Sequence, residues 1–411
     1  MAAQGSQAAV SFVLQIIAAR MLGLEGLGRF AILYGVLLLV TALVSGFIGD
    51  TLTVLDRFDR HVRFTLQLWC VGLSFGAAIA AAFVVMMARF LTPIEAVAFS
   101  GAIAIFVLED TLRRTLMANL LYWKIVIVDL IGLLGALLVL GFLAATVRPS
   151  LVIFFLSILG GQLVALFAAV MLLPRSERFL VMRVVKCTSS VPKYGIWRAA
   201  QQAVRPGLLT VVRMTILVLV GAAVVGQVEV ARIYVAPMML VVSGASSFLF
   251  TSFARNGDTS IRELLGRADR AVLGLAGVSI VVGGLGLLLL PVIGHLVTGQ
   301  HPLVLAVAGW IFYSISVSAV TPYGALAAVR GRQSAVLGLR VLDSFISFVL
   351  AVAVLQTNLT PALIPSALAV GSITGGLLIR QLLLVPALKY ELEVPHQVKP
   401  KMRDTSASAT T

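Results

Sequence analysis

Residues 12–40 read FVLQIIAARMLGLEGLGRFAILYGVLLLV. Two apolar runs, 8–24 and 31–49, flank the turn LGLEGLGRFA. Each is long enough to cross a bilayer's hydrocarbon core of roughly 30 Å as a helix of about 20 residues. The same reading applied outward from this hairpin predicts ten further spans: 64–88, 94–116, 125–145, 151–173, 197–220, 231–253, 271–293, 303–326, 334–354 and 361–387. Composition agrees, since 60% of the 411 residues are hydrophobic and 12% charged, with mean hydropathy +1.06. A soluble domain carries about a quarter charged residues. These values exclude a water-soluble globular enzyme, a disordered chain and a nucleic-acid binder. No cleavable signal is expected, because the N-terminus lacks a basic region ahead of its first apolar run.

The net charge of +14 is not gathered in a basic domain. With an even number of spans and both termini inside, twenty-three of the 31 Lys and Arg residues fall in inner segments and five in outer ones, while Arg205, Arg213 and Arg340 lie inside spans. That asymmetry is how a multi-pass protein of a bacterial inner membrane is oriented. The fold class expected is all-α and polytopic, with about 12 transmembrane helices. The organisation expected is a six-helix bundle over 1–173, a cytoplasmic basic loop over 174–196, a second six-helix bundle over 197–387 and a polar cytoplasmic tail over 388–411. Self-similarity follows the same division. LGLEGLGRFA carries Gly23 and Gly28, and VGAAVVGQVEVA carries Gly221 and Gly226, each pair five apart. IVDLIGLLGALLVL with Asp129 is matched by VLDSFISFVLAVAV with Asp343.

An ionisable group inside a span costs at least a few kcal/mol, so each one marks a candidate site. Residues 198–221, RAAQQAVRPGLLTVVRMTILVLVG, place Arg198, Gln201, Gln202, Arg205 and Arg213 on an arc of roughly 120° of one helix. That stripe points to a water-filled cavity, with Pro206-Gly207 predicting a kink beside it. Arg198 snorkels to the interface in this reading, and Arg213 is either a second snorkelling residue or a cavity residue. Arg340 and Asp343, three apart, either form a structural pair or meet substrate. Asp129 is either a proton-coupling acid or a partner of a neighbouring helix. Arg20 is an interface anchor or a cavity residue. The substrate-binding candidates are therefore Arg205, Arg213, Arg20, Arg340, Gln201 and Gln202, and the coupling acids Asp129 and Asp343. Glu109, Asp110, Arg113 and Arg114 read as a solvated helix end.

No nucleotide, dinucleotide, zinc-protease or nucleophile-elbow motif is present. Cys70 and Cys187 fit no disulfide framework. His61, His295, His301 and His396 lack companions for a metal site. Neither enzyme activity, a cofactor nor a metal is expected.

The opening stretch, with Ala19, Arg20, Leu22, Gly23, Gly28 and Phe30, resembles the first two spans of O-antigen-type polysaccharide flippases of the multidrug/oligosaccharidyl-lipid/polysaccharide exporter superfamily. EDTLRRTLMANLLYWKIVIVDLIG (109–132) and TPYGALAAVRGRQSAVLGLRVLD (321–343) look like that family's junctions between spans 4 and 5 and between spans 10 and 11. The short N-terminus and compact length depart from it. The resemblance implies two six-helix bundles around a central cavity, moving a polyprenyl-diphosphate-linked oligosaccharide from the cytoplasmic to the periplasmic leaflet by alternating access, with Arg205 and Arg213 gripping the diphosphate. Its implied partners are that lipid-linked substrate, the bilayer and other membrane proteins of polysaccharide assembly. The rivals are a multidrug cation antiporter or a lipid II flippase of the same superfamily, and, more remotely, a non-transporting scaffold of glycan assembly or a membrane glycosyltransferase.

Overall fold

The computed structural model describes residues 2–178, 186–255, 260–329, 332–357 and 359–388. The middle of the basic loop, the Gly331 turn and the tail from 389, including His396, lie outside these residues. The helical run Ala2–Val44 is interrupted at Gly23, whose φ of 66° favours a residue without a side chain. The Tyr34 hydroxyl donates to the Ser11 hydroxyl at 2.8 Å. Those residues lie eleven and twelve positions from Gly23, so the chain folds back on itself there. We number its arms α1 (2–22) and α2 (24–54); α2 includes a π-turn at Ser45–Gly49.

Helix α3 (Arg60–Met87) starts at Asp59, whose carboxylate accepts from the backbone N–H groups of Val62 and His61. Those two bonds hold the Asp59 carboxyl below its ordinary range. Helix α4 (Pro93–Ala118) opens with a capping box between Thr92 and Glu95. Next come α5 (Tyr122–Thr146) and α6 (Leu151–Leu172). The second half contains α7 (Ser190–Leu219), α8 (Ala222–Arg255), α9 (Ile261–Thr298), α10 (Val304–Val329), α11 (Gln333–Gln356) and α12 (Ile364–Ile379, extended by a π-turn at Arg380–Leu384). Ten runs are long and apolar enough to cross a membrane, and the first, Gly5–Leu52, comprises both α1 and α2. Helix α4 is of spanning length but carries five charges, at Glu95, Glu109, Asp110, Arg113 and Arg114. Twelve spanning-length helices result among the described residues, as the apolar runs predict.

Five helices begin six or more residues earlier than those runs predict: α1 at 2 rather than 8, α2 at 24 rather than 31, α7 at 190 rather than 197, α8 at 222 rather than 231 and α9 at 261 rather than 271. A reading that stops at polar residues assigns Glu229 to a loop, but an ion pair lets that charge stay inside a helix. Helix α9, at 38 residues, is about 57 Å long and exceeds the hydrocarbon core. Its first turns carry Arg262, Glu263 and Arg267.

Because the helix number is even, both described ends lie on one side, termed proximal; the Gly23 and Gly221 turns lie on the distal side. One buried cluster is built mainly from α1–α6 and admits Val191, Val230 and Ile233 from the second half. A second is built mainly from α7–α12 and admits Ile32 from α2. Large apolar side chains such as Leu138, Phe142, Val218, Leu273 and Leu288 point outward, as a lipid-facing belt requires. Near the distal side α2 crosses α8 through two glycines. A Cβ on Gly28 would overlap the Ala222 carbonyl, and one on Gly226 would overlap the Leu24 carbonyl.

Candidate functional site

Helix α7 remains helical through Pro206. One residue earlier, Arg205 donates through Nε and Nη2 to the Tyr313 hydroxyl of α10, at 3.2 and 3.1 Å. Its guanidinium also lies 5.3 Å from the Tyr313 ring centre. Tyr313 packs edge-on against Trp310, whose Nε1 donates to the Val228 carbonyl of α8 at 3.0 Å. Arg340 of α11 is 29% exposed and stands 3.9 Å from Asp343, too far for a hydrogen bond. Arg205 is close enough to both to act on them electrostatically. Two guanidiniums thus face one carboxylate. Among the described residues Arg340 makes no hydrogen bond, and both bonded donors of Arg205 share a single oxygen. Arginines with unused donors are suited to a phosphate or carboxylate oxygen.

The other predicted residues lie elsewhere. Arg213 is buried and donates to Glu229 of α8 at 2.7 Å; Arg232 donates to the second Glu229 oxygen at 2.6 Å and to Gln15 of α1 at 2.5 Å. This network ties the halves together toward the distal side. Arg20 donates to the carbonyls of Val297, at 3.2 Å, and Leu296 at the end of α9. Gln201 accepts from Arg198 at 2.8 Å. Arg198 pairs with Asp50 of α2 at 2.8 Å, and Gln202 donates to the same carboxylate at 3.3 Å.

Asp129 belongs to a separate cluster in the first half, where it accepts from Arg113 at 3.1 Å and from Ser6. Asp110 accepts from Arg114 at 3.0 Å and from Ser45. Contrary to the solvated-end reading, Glu109, Asp110 and Arg113 are only 4%, 2% and 4% exposed. The physical reason is the longer α1, which lays Gln7 over this part of α4 and Ser6 over Asp129 of α5. A cavity of about 20 Å³ lies here, lined by residues including Ser11, Tyr34, Glu109, Asp129 and Gln162. That is room for a water molecule. Glu109 Oε1 and Gln162 Oε1 are buried without a hydrogen-bond partner. Of the three clustered acids, Glu109 is the one whose charge can be removed without orphaning a hydrogen-bonded arginine. Glu109→Gln should therefore leave stability unchanged or raise it by up to about 2 kcal/mol. Asp110→Asn, which removes the buried negative charge paired with Arg114 and Arg113, should lower stability. Thermal unfolding of the purified variants checks that order.

Glu109, Glu229 and Tyr313 are the site residues missed by sequence reading. A usable signal existed for one of them: Arg213 and Glu229 lie eight residues on either side of Gly221, as hairpin mates do.

No family model matches the sequence, and no curated protein matches it. Solved structures do. An inward-facing multidrug resistance MATE family transporter of the MOP superfamily aligns with TM-score 0.73 and 12% identity over 95% of this chain and 96% of that one. The two chains share one fold. An outward-facing MATE family structure aligns at 0.68, with 13% identity over 96% and 95%. A MOP transporter from Pyrococcus furiosus, described by the reverse polarity of its binding pocket, aligns at 0.67, with 11% identity over 96% and 95%. Toward the distal side the halves are tied along α1–α8, α2–α8 and α1–α9, and Gly35 of α2 lies against Arg213 of α7. Near the proximal side α2 and α7 meet again, where Gly46 lies against Arg198 and Ala199.

Proposed function

We propose that the protein transports an anionic, lipid-linked oligosaccharide, of the polyprenyl-diphosphate type, from the cytoplasmic to the periplasmic leaflet of a bacterial inner membrane. The observation carrying this reading is the pair Arg205 and Arg340, whose donors are largely unused and whose charge is only half balanced by Asp343. A diphosphate supplies both the missing charge and the acceptor oxygens. Arg213, buried and charge-paired with Glu229 at 2.7 Å, is assigned to closing the distal seam instead of gripping substrate. The proximal side is cytoplasmic in this scheme, since its connections carry Arg57, Arg175, Arg178 and Lys186 whereas the distal ones carry Arg89 and Arg148. The halves rock against each other, closing the distal seam at the Gly28–Gly226 crossing and parting it there; the glycan passes between them and the lipid tail stays in the bilayer. Glu109, in its small cavity, is the coupling group.

The same buried acid supports a second reading, a multidrug cation antiporter, in which the carboxylates of the first half meet the exchanged cations.

The test is the sidedness of lipid-linked glycan, probed with a membrane-impermeant glycan-binding reagent in inverted and right-side-out vesicles from cells with and without the protein. Under the flippase reading, glycan accumulates on the cytoplasmic leaflet without it. The Arg205→Ala/Arg340→Ala variant, folded as judged by its melting temperature, should restore export at least about tenfold less well, corresponding to about 1.4 kcal/mol or more. Unchanged sidedness with lost resistance to cationic drugs favours the antiporter.

A further inference from the structure

The anion site contains an acid where phosphate recognition alone would place none. Asp343 sits one helical turn from Arg340, on the same face of α11. It is 6% exposed and fixed from two sides. Its carboxylate packs against Gly375 of α12, where an added Cβ would overlap it, and it accepts from the Ser344 hydroxyl at 3.1 Å. Arg340 packs against Gly324 of α10. The 3.9 Å separation therefore leaves the carboxylate near the guanidinium without occupying its donors. Arg213 and Glu229, by contrast, close to hydrogen-bonding distance at 2.7 Å.

We infer that Asp343 is a built-in counter-anion that competes with the bound phosphate for Arg340 and sets how readily the substrate leaves. The inference rests on the anion-site reading above. With the site empty, Asp343 offsets part of the charge of Arg340 and Arg205. With phosphate bound, it becomes a like charge close to the ligand, weakening the hold and favouring release. A carrier needs such a limit, because a substrate gripped too tightly is not delivered.

The experiment uses the purified full chain in nanodiscs. Binding of inorganic pyrophosphate and of polyprenyl diphosphate embedded in the disc are measured in parallel, and flipping is measured after reconstitution. Asp343→Asn should bind the diphosphate about tenfold more tightly, which is about 1.4 kcal/mol. It should also flip lipid-linked substrate more slowly than the unaltered protein. Asp343→Ser, which also lacks the carboxylate, should bind more tightly too and covers the case in which the Asn variant fails to fold. Tightening only toward the lipid-borne ligand identifies the headgroup as the occupant; tightening toward both identifies the diphosphate itself. Unchanged or weaker binding by both Asp343 variants, while Arg205→Ala and Arg340→Ala still lose binding, overturns the role of Asp343 and leaves the anion site standing. Binding that neither arginine variant alters overturns the anion-site reading and this inference with it.

Discussion

Glu229→Ala should be the most damaging single substitution in the distal half. The carboxylate is buried and holds two guanidiniums, Arg213 at 2.7 Å and Arg232 at 2.6 Å. Its removal leaves Arg213 enclosed with a positive charge and no acceptor, since the nearby Gly35 adds no side chain. Breaking a buried pair from one side costs about 3–5 kcal/mol, mainly from the uncompensated charge. Arg232 retains Gln15 and suffers less. Adding Arg213→Met to Glu229→Leu should recover much of the loss, because apolar groups of similar volume remove both the charge and its need for a partner. Denaturant unfolding in micelles checks the magnitude. Labelling of cysteines introduced near the Gly221 turn checks the conformational consequence: with its central acid gone, the seam should open and labelling should rise.

Gly28→Ala and Gly226→Ala should each destabilise the state with the distal seam closed, and together they should prevent closure. At both positions the added methyl would fall on a backbone carbonyl, which cannot rotate aside as a side chain can. Overpacking of this kind costs about 1–3 kcal/mol per site when the helices yield, and more when they do not. A closed seam loses far more than an open one, so the population shifts toward distal opening. Gly274→Ala, where nothing lies within 4 Å, is the control and should change neither stability nor labelling. Equal effects at all three positions would remove the crossing as the cause.

Much of the fold is legible in the sequence because the hydrocarbon thickness fixes a length, and apolar runs of that length can be counted. Helix ends are less legible, since a polar residue reads as a stop whether it meets water or a partner. Glu229 shows the difference: its partner Arg213 lies across a tight turn. Glu109 fails for a related reason, because its burial depends on residues 6 and 7, which fall before the first apolar run. Arg205 and Arg340 are each recognisable as costly intramembrane charges. Their proximity depends on how α7, α10 and α11 pack, and spacing along the chain does not encode that. Gln201 and Gln202 share the arc of Arg205, yet they meet α2 through Arg198 and Asp50. A stripe on one helix can serve two neighbours.

The crossing of α2 and α8 has a further property. Gly28 meets Ala222 and Gly226 meets Leu24, and stepping 198 positions along the chain turns either contact into the other. The contact is isologous, the kind that two identical subunits make across a two-fold axis. Each half thus presents to the other the same patch that it receives. Each half supplies one glycine of this crossing, so neither side of the seam can be altered without changing the surface that its counterpart fits.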